Sequence, residues 1–229
     1  ASVPPLYHDI LEMPTTDREL EERLRVNVDR NLQIGRAARA GFNGSGVSQN
    51  NRLIERHVAD LTRGAYWKSY DFSANSGVQN LFARPLGPNG KNAFEHAGGE
   101  IIFNLPNGLQ AYLLVDAKGN RIDKGPTEIV RDNKRPDGAV VNGLSCMSCH
   151  TRGMIFKDDQ VRQAVQGNAA FSAAVRNKVE RLYPPKEEFL RLQQADAKRF
   201  ANAVTETGGT VGTTEPILTL ALRFTCRLR

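Results

Sequence analysis

Glu100-Ile101-Ile102-Phe103-Asn104-Leu105, Pro106-Asn107-Gly108 and Leu109-Gln110-Ala111-Tyr112-Leu113-Leu114-Val115-Asp116 form two apolar arms around an Asn-Gly pair. The arms are rich in β-branched and aromatic side chains, and Asn-Gly adopts the positive φ that a tight hairpin demands. Asp116-Ala117-Lys118-Gly119-Asn120 reads as a second turn, leading into a short third strand near Arg121-Ile122-Asp123. Upstream, Arg52 to Val58 and Ala65 to Phe72 read as another hairpin, its second arm carrying Tyr66, Trp67, Tyr70 and Phe72. These pieces predict an antiparallel meander.

The flanks change period. Ser2 to Pro14 reads as a loop, after which Thr16 and Glu19 form a capping box that satisfies N–H groups at a helix start. Leu20, Leu24, Val28 and Leu32 then recur every four residues as one apolar stripe, which Gly41, Gly44 and Gly46 end. Toward the C-terminus, Asp158 opens a short helix interrupted at Gly167-Asn168, and Phe171, Val175, Val179 and Leu182 return to helical spacing. Pro184-Pro185 with Glu187 and Glu188 starts a last helix running to about Val204, because proline's missing N–H costs nothing in a first turn. The fold class is α+β: an N-terminal helix, an antiparallel meander, then a cysteine-bearing segment and C-terminal helices. Three segments follow from this pattern: an N-terminal loop and helix over 1–46, a central domain over 47–205 and a tail over 206–229.

Composition narrows the function classes. The chain has 229 residues, 40% hydrophobic and 24% charged, which is ordinary for a globular protein. No run of 18 apolar residues exists, so no membrane span is expected. Ala1-Ser2-Val3-Pro4-Pro5 does not resemble an export signal, so any such signal is expected either to have been removed or not to be part of this sequence. Residues 1–150 carry 18 basic and 17 acidic side chains, whereas 151–229 carry 13 and 8, so the net charge of +6 is concentrated in the last third. A basic surface there steers an acidic partner. Nucleic acid is not expected, because no block of like charge or aromatic-basic signature accompanies it.

Cys146-Met147-Ser148-Cys149-His150 is the segment that carries chemistry. Two cysteines at this spacing can each add across a vinyl group of one haem, and the histidine that follows is placed as the proximal iron ligand. One covalent haem c, on Cys146 and Cys149 with His150 on the iron, is therefore the expected cofactor. A structural zinc site would need a second ligand pair, which the sequence lacks. A redox dithiol would want the pair at a helix N-terminus after a strand. A disulfide within so small a loop stabilises little. Cys226 is read as a small apolar residue near the end, with pairing between chains as the alternative.

The runs Trp67-Lys68-Ser69-Tyr70-Asp71-Phe72, Gly98 to Gly108 and Asn142-Gly143-Leu144-Ser145-Cys146-Met147-Ser148-Cys149-His150 resemble a group of bacterial exported c-type cytochrome proteins. The resemblance covers most of residues 40–200. It implies a haem-binding class and a periplasmic or otherwise exported location. A meander followed directly by this motif is also similar, in topology, to the cytochrome P460 and c′-β arrangement, where one axial site can stay open.

The sixth iron ligand separates the functional expectations. Electron transfer favours a closed six-coordinate iron, whereas peroxide chemistry or gas binding needs a displaceable site. Met147 and Met154 lie too close in sequence to His150 to reach the opposite haem face. The upstream candidates are His57 and His96, then Met13 and His8, with an open or water-bound site as the alternative. Arg121, Arg131 and Arg135 offer guanidinium forks to haem propionates. The leading function is periplasmic one-electron transfer with a redox partner protein. The alternative is a haem enzyme, of peroxidase or P460-like type, or a sensor of a small ligand such as nitric oxide, carbon monoxide or dioxygen.

Overall fold

A computed structural model of the chain describes residues 3–212. Five strands form one antiparallel sheet in sequential order: β1 (Ala38–Asn43), β2 (Asn51–Ala59), β3 (Gly64–Asp71), β4 (Gly98–Asn104) and β5 (Gln110–Asp116). Both hairpins expected from the sequence are present, and the class is α+β with a long C-terminal helix. Register places Leu53 opposite Tyr70, His57 opposite Tyr66, Trp67 opposite Ile102 and Ile102 opposite Tyr112. Side chains alternate across a strand, so the sheet sorts its residues onto two faces. Leu53, Glu55, His57, Tyr66, Tyr70, Ile101 and Leu113 lie on one face. Arg52, Ile54, Arg56, Trp67, Glu100, Ile102, Tyr112 and Leu114 lie on the other.

Helices cover both faces. On the first, the core contains Leu20, Leu24 and Val28 from α2 (Asp17–Leu24) and α3 (Val28–Ile34), which pack with Tyr66, Ile101 and Leu113. The same face takes Val161, Val165, Val179 and Leu182 from α5 (Val161–Gln166) and α6 (Ala173–Leu182), around Leu53 and Tyr70. On the second face, Cys146 of α4 (Leu144–Cys149) and Phe189 of α7 (Lys186–Glu206) pack with Trp67, Ile102, Tyr112 and Leu114. This second surface is called the motif face below. Among the described residues, no helix is long and apolar enough to cross a membrane.

Several local expectations are corrected. The stripe Leu20, Leu24, Val28, Leu32 belongs to two helices, because Arg25 turns left-handed at φ 56° and Asn27 recaps the chain by accepting from the Arg30 N–H. Gly35, at φ 70°, ends the second helix well before Gly41. Gly41 lies inside β1, a strand the sequence reading missed because short residues stand where its apolar arm would be. Since β1 pairs with β2 along its length, the boundary expected at 46/47 falls within a hairpin. The segment read as a loop contains α1 (Leu6–Ile10), held where the Tyr7 hydroxyl donates to the Tyr112 carbonyl at 3.0 Å and accepts from its N–H at 2.9 Å. The third strand near Arg121 reduces to an isolated bridge to Val115. There the Arg121 N–H is taken by the Thr15 carbonyl, which diverts the chain from the sheet. The short helix starts at Val161 rather than Asp158, where Asp159 accepts from the Val161 and Arg162 N–H groups. Cys226 and most of the tail lie outside the described residues.

One contact fixes α7 to the motif face. Arg56 donates to both oxygens of Asp196, at 2.7 and 3.0 Å, and the Trp67 indole N–H donates to the same carboxylate at 2.8 Å. Removing that carboxylate leaves a buried indole N–H and a guanidinium without their acceptor. Asp196→Ala is expected to destabilise the fold by about 2–3 kcal/mol, measured as a lowered urea midpoint, since hydrogen bonds to charged groups carry this magnitude.

Candidate functional site

Gly143 turns at φ 79° into α4, and a Cβ there would press on the Tyr7 ring. Val141 N–H donates to the Ser145 hydroxyl, and Met147 and His150 N–H groups donate back to Gly143 and Cys146 carbonyls. This one short helix therefore presents Cys146 and Cys149 one turn apart and ends at His150. Cys146 is buried and Cys149 is half-buried, and the two are free thiols. The Lys134 ammonium donates to the Ser148 carbonyl at 2.7 Å, tying the helix end to the preceding loop.

The imidazole of His150 has a defined orientation. Its Nδ1 donates to the Gly153 carbonyl, an acceptor only, at 3.0 Å. Gly153 makes that return possible at φ 82°, where a side chain would also crowd Phe200. The ring of Tyr112 stands 5.7 Å away, tilted by 38°. Nε2 points to the sheet, with Glu100 Oε2 at 3.8 Å. A histidine whose second nitrogen donates to a carbonyl is the arrangement metal-ligating imidazoles use.

Two adjoining clefts border the motif. Cys146 and Cys149 open on one, with Val47, Leu114, Val130 and Val140. His150 opens on the other, with Phe42, Ile54, Trp67, Ile102 and Met154. Arg52 and Glu100 line both. Cys146, Cys149 and His150 thus border the same side of the sheet, across largely apolar walls that also carry Lys68, Lys157, Asp71 and Asp132.

The electrostatics follow from burial. Burial alone would raise the Glu100 carboxyl, but the hydrogen bond and charge of His150, with Arg52 and the Cys146 thiol adding to them, lower it to about 2. Burial pushes the Cys146 thiol well up, and the Glu100 charge adds to this. Burial also raises Cys149, against the opposing effect of Lys134. A pair of thiols held protonated lacks the lowered pKa of a redox dithiol. Among the described residues, no group of three or more His, Cys, Asp or Glu side chains is arranged to hold a metal ion.

The structure does not bring His57 or His96 to His150. His57 is fully buried on the opposite face, with Asn31 Nδ2 donating to its Nδ1 at 3.2 Å and its Nε2 donating to Glu55 at 3.1 Å. Both ring nitrogens are therefore committed. His96 packs edge-on against Tyr70 at 5.1 Å and near Phe94, also on that face, where burial and then Lys68 lower its pKa. Met13 sits in the core beside Leu20 and Leu24. His8 contacts the Asn142 amide at 2.8 Å, next to the motif but before it, and burial followed by Arg121 lowers its pKa.

Two of the arginines proposed for propionates are committed elsewhere, whereas Arg131 lies between Val130 and Asp132 on the edge of the thiol cleft. Arg121 donates to the Met13 and Pro14 carbonyls, Arg135 pairs with Asp137, and Arg131 lies by Gly138. Arg52 and Glu100 were missed by the sequence reading. Their only sequence signal is a charge on the strand positions that alternate with Leu53 and Ile101, and a solvated face produces the same pattern. Comparison of the chain with protein-family models, with curated proteins and with solved structures found no match.

Proposed function

We propose that this chain is a monohaem c-type cytochrome that passes single electrons to a redox partner outside the cytoplasm. The observation that carries the reading is that Cys146, Cys149 and His150 line two clefts sharing Arg52 and Glu100, with the His150 Nδ1–H anchored on Gly153. That donor set fits covalent haem: two thiols for the vinyl groups and one imidazole nitrogen for the iron. Haem bound there supplies a one-electron iron couple. The chain's own residues would surround it with Ile54, Trp67, Ile102 and Leu114, which exclude water, and with Lys157, whose cation suits a propionate carboxylate.

A flat group between His150 and the sheet requires the Met154–Lys157 stretch to move outward. Ile155 and Phe156 are about half exposed, whereas Met154 is buried and the buried Gln193 amide bonds both the N–H and the carbonyl of Lys157, so the movement must break these contacts. The haem-loaded protein is accordingly expected to show altered amide exchange over residues 151–157, with β2 to β4 unchanged. Equal exchange in loaded and haem-free chains would count against this placement.

The test is production of the chain with a covalent haem-attachment system, followed by redox titration in an optical cell. One reversible transition fitting a single electron per chain is expected. Reduction by an acidic partner should slow with added salt, because screening removes the steering of the basic last third. Absence of haem on the purified chain would overturn the proposal.

The second reading, a haem enzyme or small-ligand sensor, is favoured by one observation. The wall facing His150 offers Glu100 and Arg52 rather than either expected histidine.

A further inference from the structure

An axial ligand must come from the wall opposite His150, and that wall is the motif face of the sheet. Glu100 occupies it directly, with Oε2 at 3.8 Å from the His150 Nε2. A metal between an imidazole nitrogen and a carboxylate oxygen spans about 4 Å, since each bond is roughly 2.0–2.2 Å. The carboxylate is placed by its own strand, where the Glu100 N–H donates to the Ser69 hydroxyl at 2.8 Å. A Cβ on Gly99 would fall 1.9 Å from the Ser69 carbonyl, so only glycine lets β3 and β4 come this close before Glu100. Arg52 stands beside it on the neighbouring cleft wall. Its guanidinium is fixed by two hydrogen bonds to Asp71, one of them 2.9 Å, and both side chains are nearly buried.

Resting on the haem reading above, we infer that Glu100 is the protein group facing the sixth iron position. It supplies an oxygen donor there in the ferric protein, and Arg52 stands ready to hydrogen-bond a small ligand that displaces it. Such a site takes diatomic gases in the ferrous state and small anions, such as fluoride, in the ferric state. A carboxylate is a weak competitor for ferrous iron, and a buried cation beside the iron favours a bound anion. The chain then combines a proximal histidine with an exchangeable distal position, which rests on the haem part of the reading and favours small-ligand binding over a closed electron-transfer iron.

The experiment uses the haem-loaded full chain. Ferric absorbance and electron paramagnetic resonance are recorded first, then fluoride affinity and ferrous carbon monoxide binding, for wild type, Glu100→Gln and Arg52→Gln. The wild-type ferric iron is expected to be high-spin and the ferrous protein to bind carbon monoxide readily. Glu100→Gln replaces the carboxylate by a weaker, neutral amide oxygen and removes a like charge, so fluoride should bind about tenfold more tightly, or about 1.4 kcal/mol. Arg52→Gln should weaken fluoride by a similar factor. A wild-type spectrum that is low-spin in both oxidation states, unchanged by Glu100→Gln, overturns the inference. If a variant fails to fold, the wild-type spin state and its fluoride titration decide alone. Loss of all haem in acid–acetone would instead defeat the underlying haem reading, so the two failures are distinguishable.

Discussion

Serine at both Cys146 and Cys149 is expected to take haem retained after acid–acetone extraction from one per chain to none. Each thioether needs a sulfur, and a serine hydroxyl does not add to a vinyl group under the same conditions. The two thiols occupy successive turns of one short helix and open on one cleft, so a single substitution should leave one attachment and part of the retention. His150→Ala should differ in kind. Covalent haem persists, while the iron loses its anchored imidazole and the visible spectrum changes. Folding is a separate readout, because Cys146 is buried against Leu114 and Phe189 and its replacement also affects packing. Circular dichroism of the double variant should remain that of an α+β protein. Full retention of haem by the double variant would remove the motif from the chemistry.

The second large effect is on stability and lies on the opposite face. Glu55 is fully buried, and Arg39 donates to it through Nε at 2.9 Å, with Nη2 2.8 Å from the same oxygen in an ion pair. His57 Nε2 at 3.1 Å and the Tyr70 hydroxyl at 3.0 Å complete its partners. Glu55→Ala strands a fully buried guanidinium. Breaking a buried pair from one side costs about 3–5 kcal/mol, a large share of the total for a domain of this size. The expected result is a urea midpoint lowered by a third or more, or loss of soluble protein. A change below 1 kcal/mol would show that water reaches Arg39.

The same carboxylate gives a pH signature. Burial alone would raise Glu55, but Arg39 and then the hydrogen bond and charge of His57 outweigh it, and the group is held far below the usual range. Glu100 is lowered similarly, to about 2. A folded-state value below the unfolded one means that the unfolded chain binds more protons as pH falls through about 4.3. The stabilisation is then complete above that value and declines as pH drops toward the folded values. Urea midpoints of the haem-free chain should be level from pH 7 to about 5 and fall steadily from there to about 2.5. Glu55→Gln should flatten part of that fall. A fall centred near pH 6.5 would assign it to histidine instead.

Much of the architecture was legible locally. Asn107-Gly108 between apolar arms required the β4–β5 hairpin, because few residues supply the backbone the turn needs. The Thr16–Glu19 box and Pro185 marked helix starts that short-range sterics and capping determine. The grouping of Cys146, Cys149 and His150 at one short helix was legible for the same reason: it depends on spacing within five residues. Other features depend on partners distant in sequence. The Leu20 to Leu32 stripe did not reveal its break at Arg25, since both helices bury the same side against the sheet. Whether His57 or Glu100 faces His150 is decided by strand pairing and by which face α4 covers. Alternation makes neighbouring residues point opposite ways, so it says which side chains share a face and not what packs on it. The meander, the helix starts and the clustering of Cys146, Cys149 and His150 follow from local sequence. The placing of Arg52 and Glu100, from two strands 48 residues apart, beside that cluster follows only from the tertiary fold, because the pairing of β2, β3 and β4 is what sets them side by side.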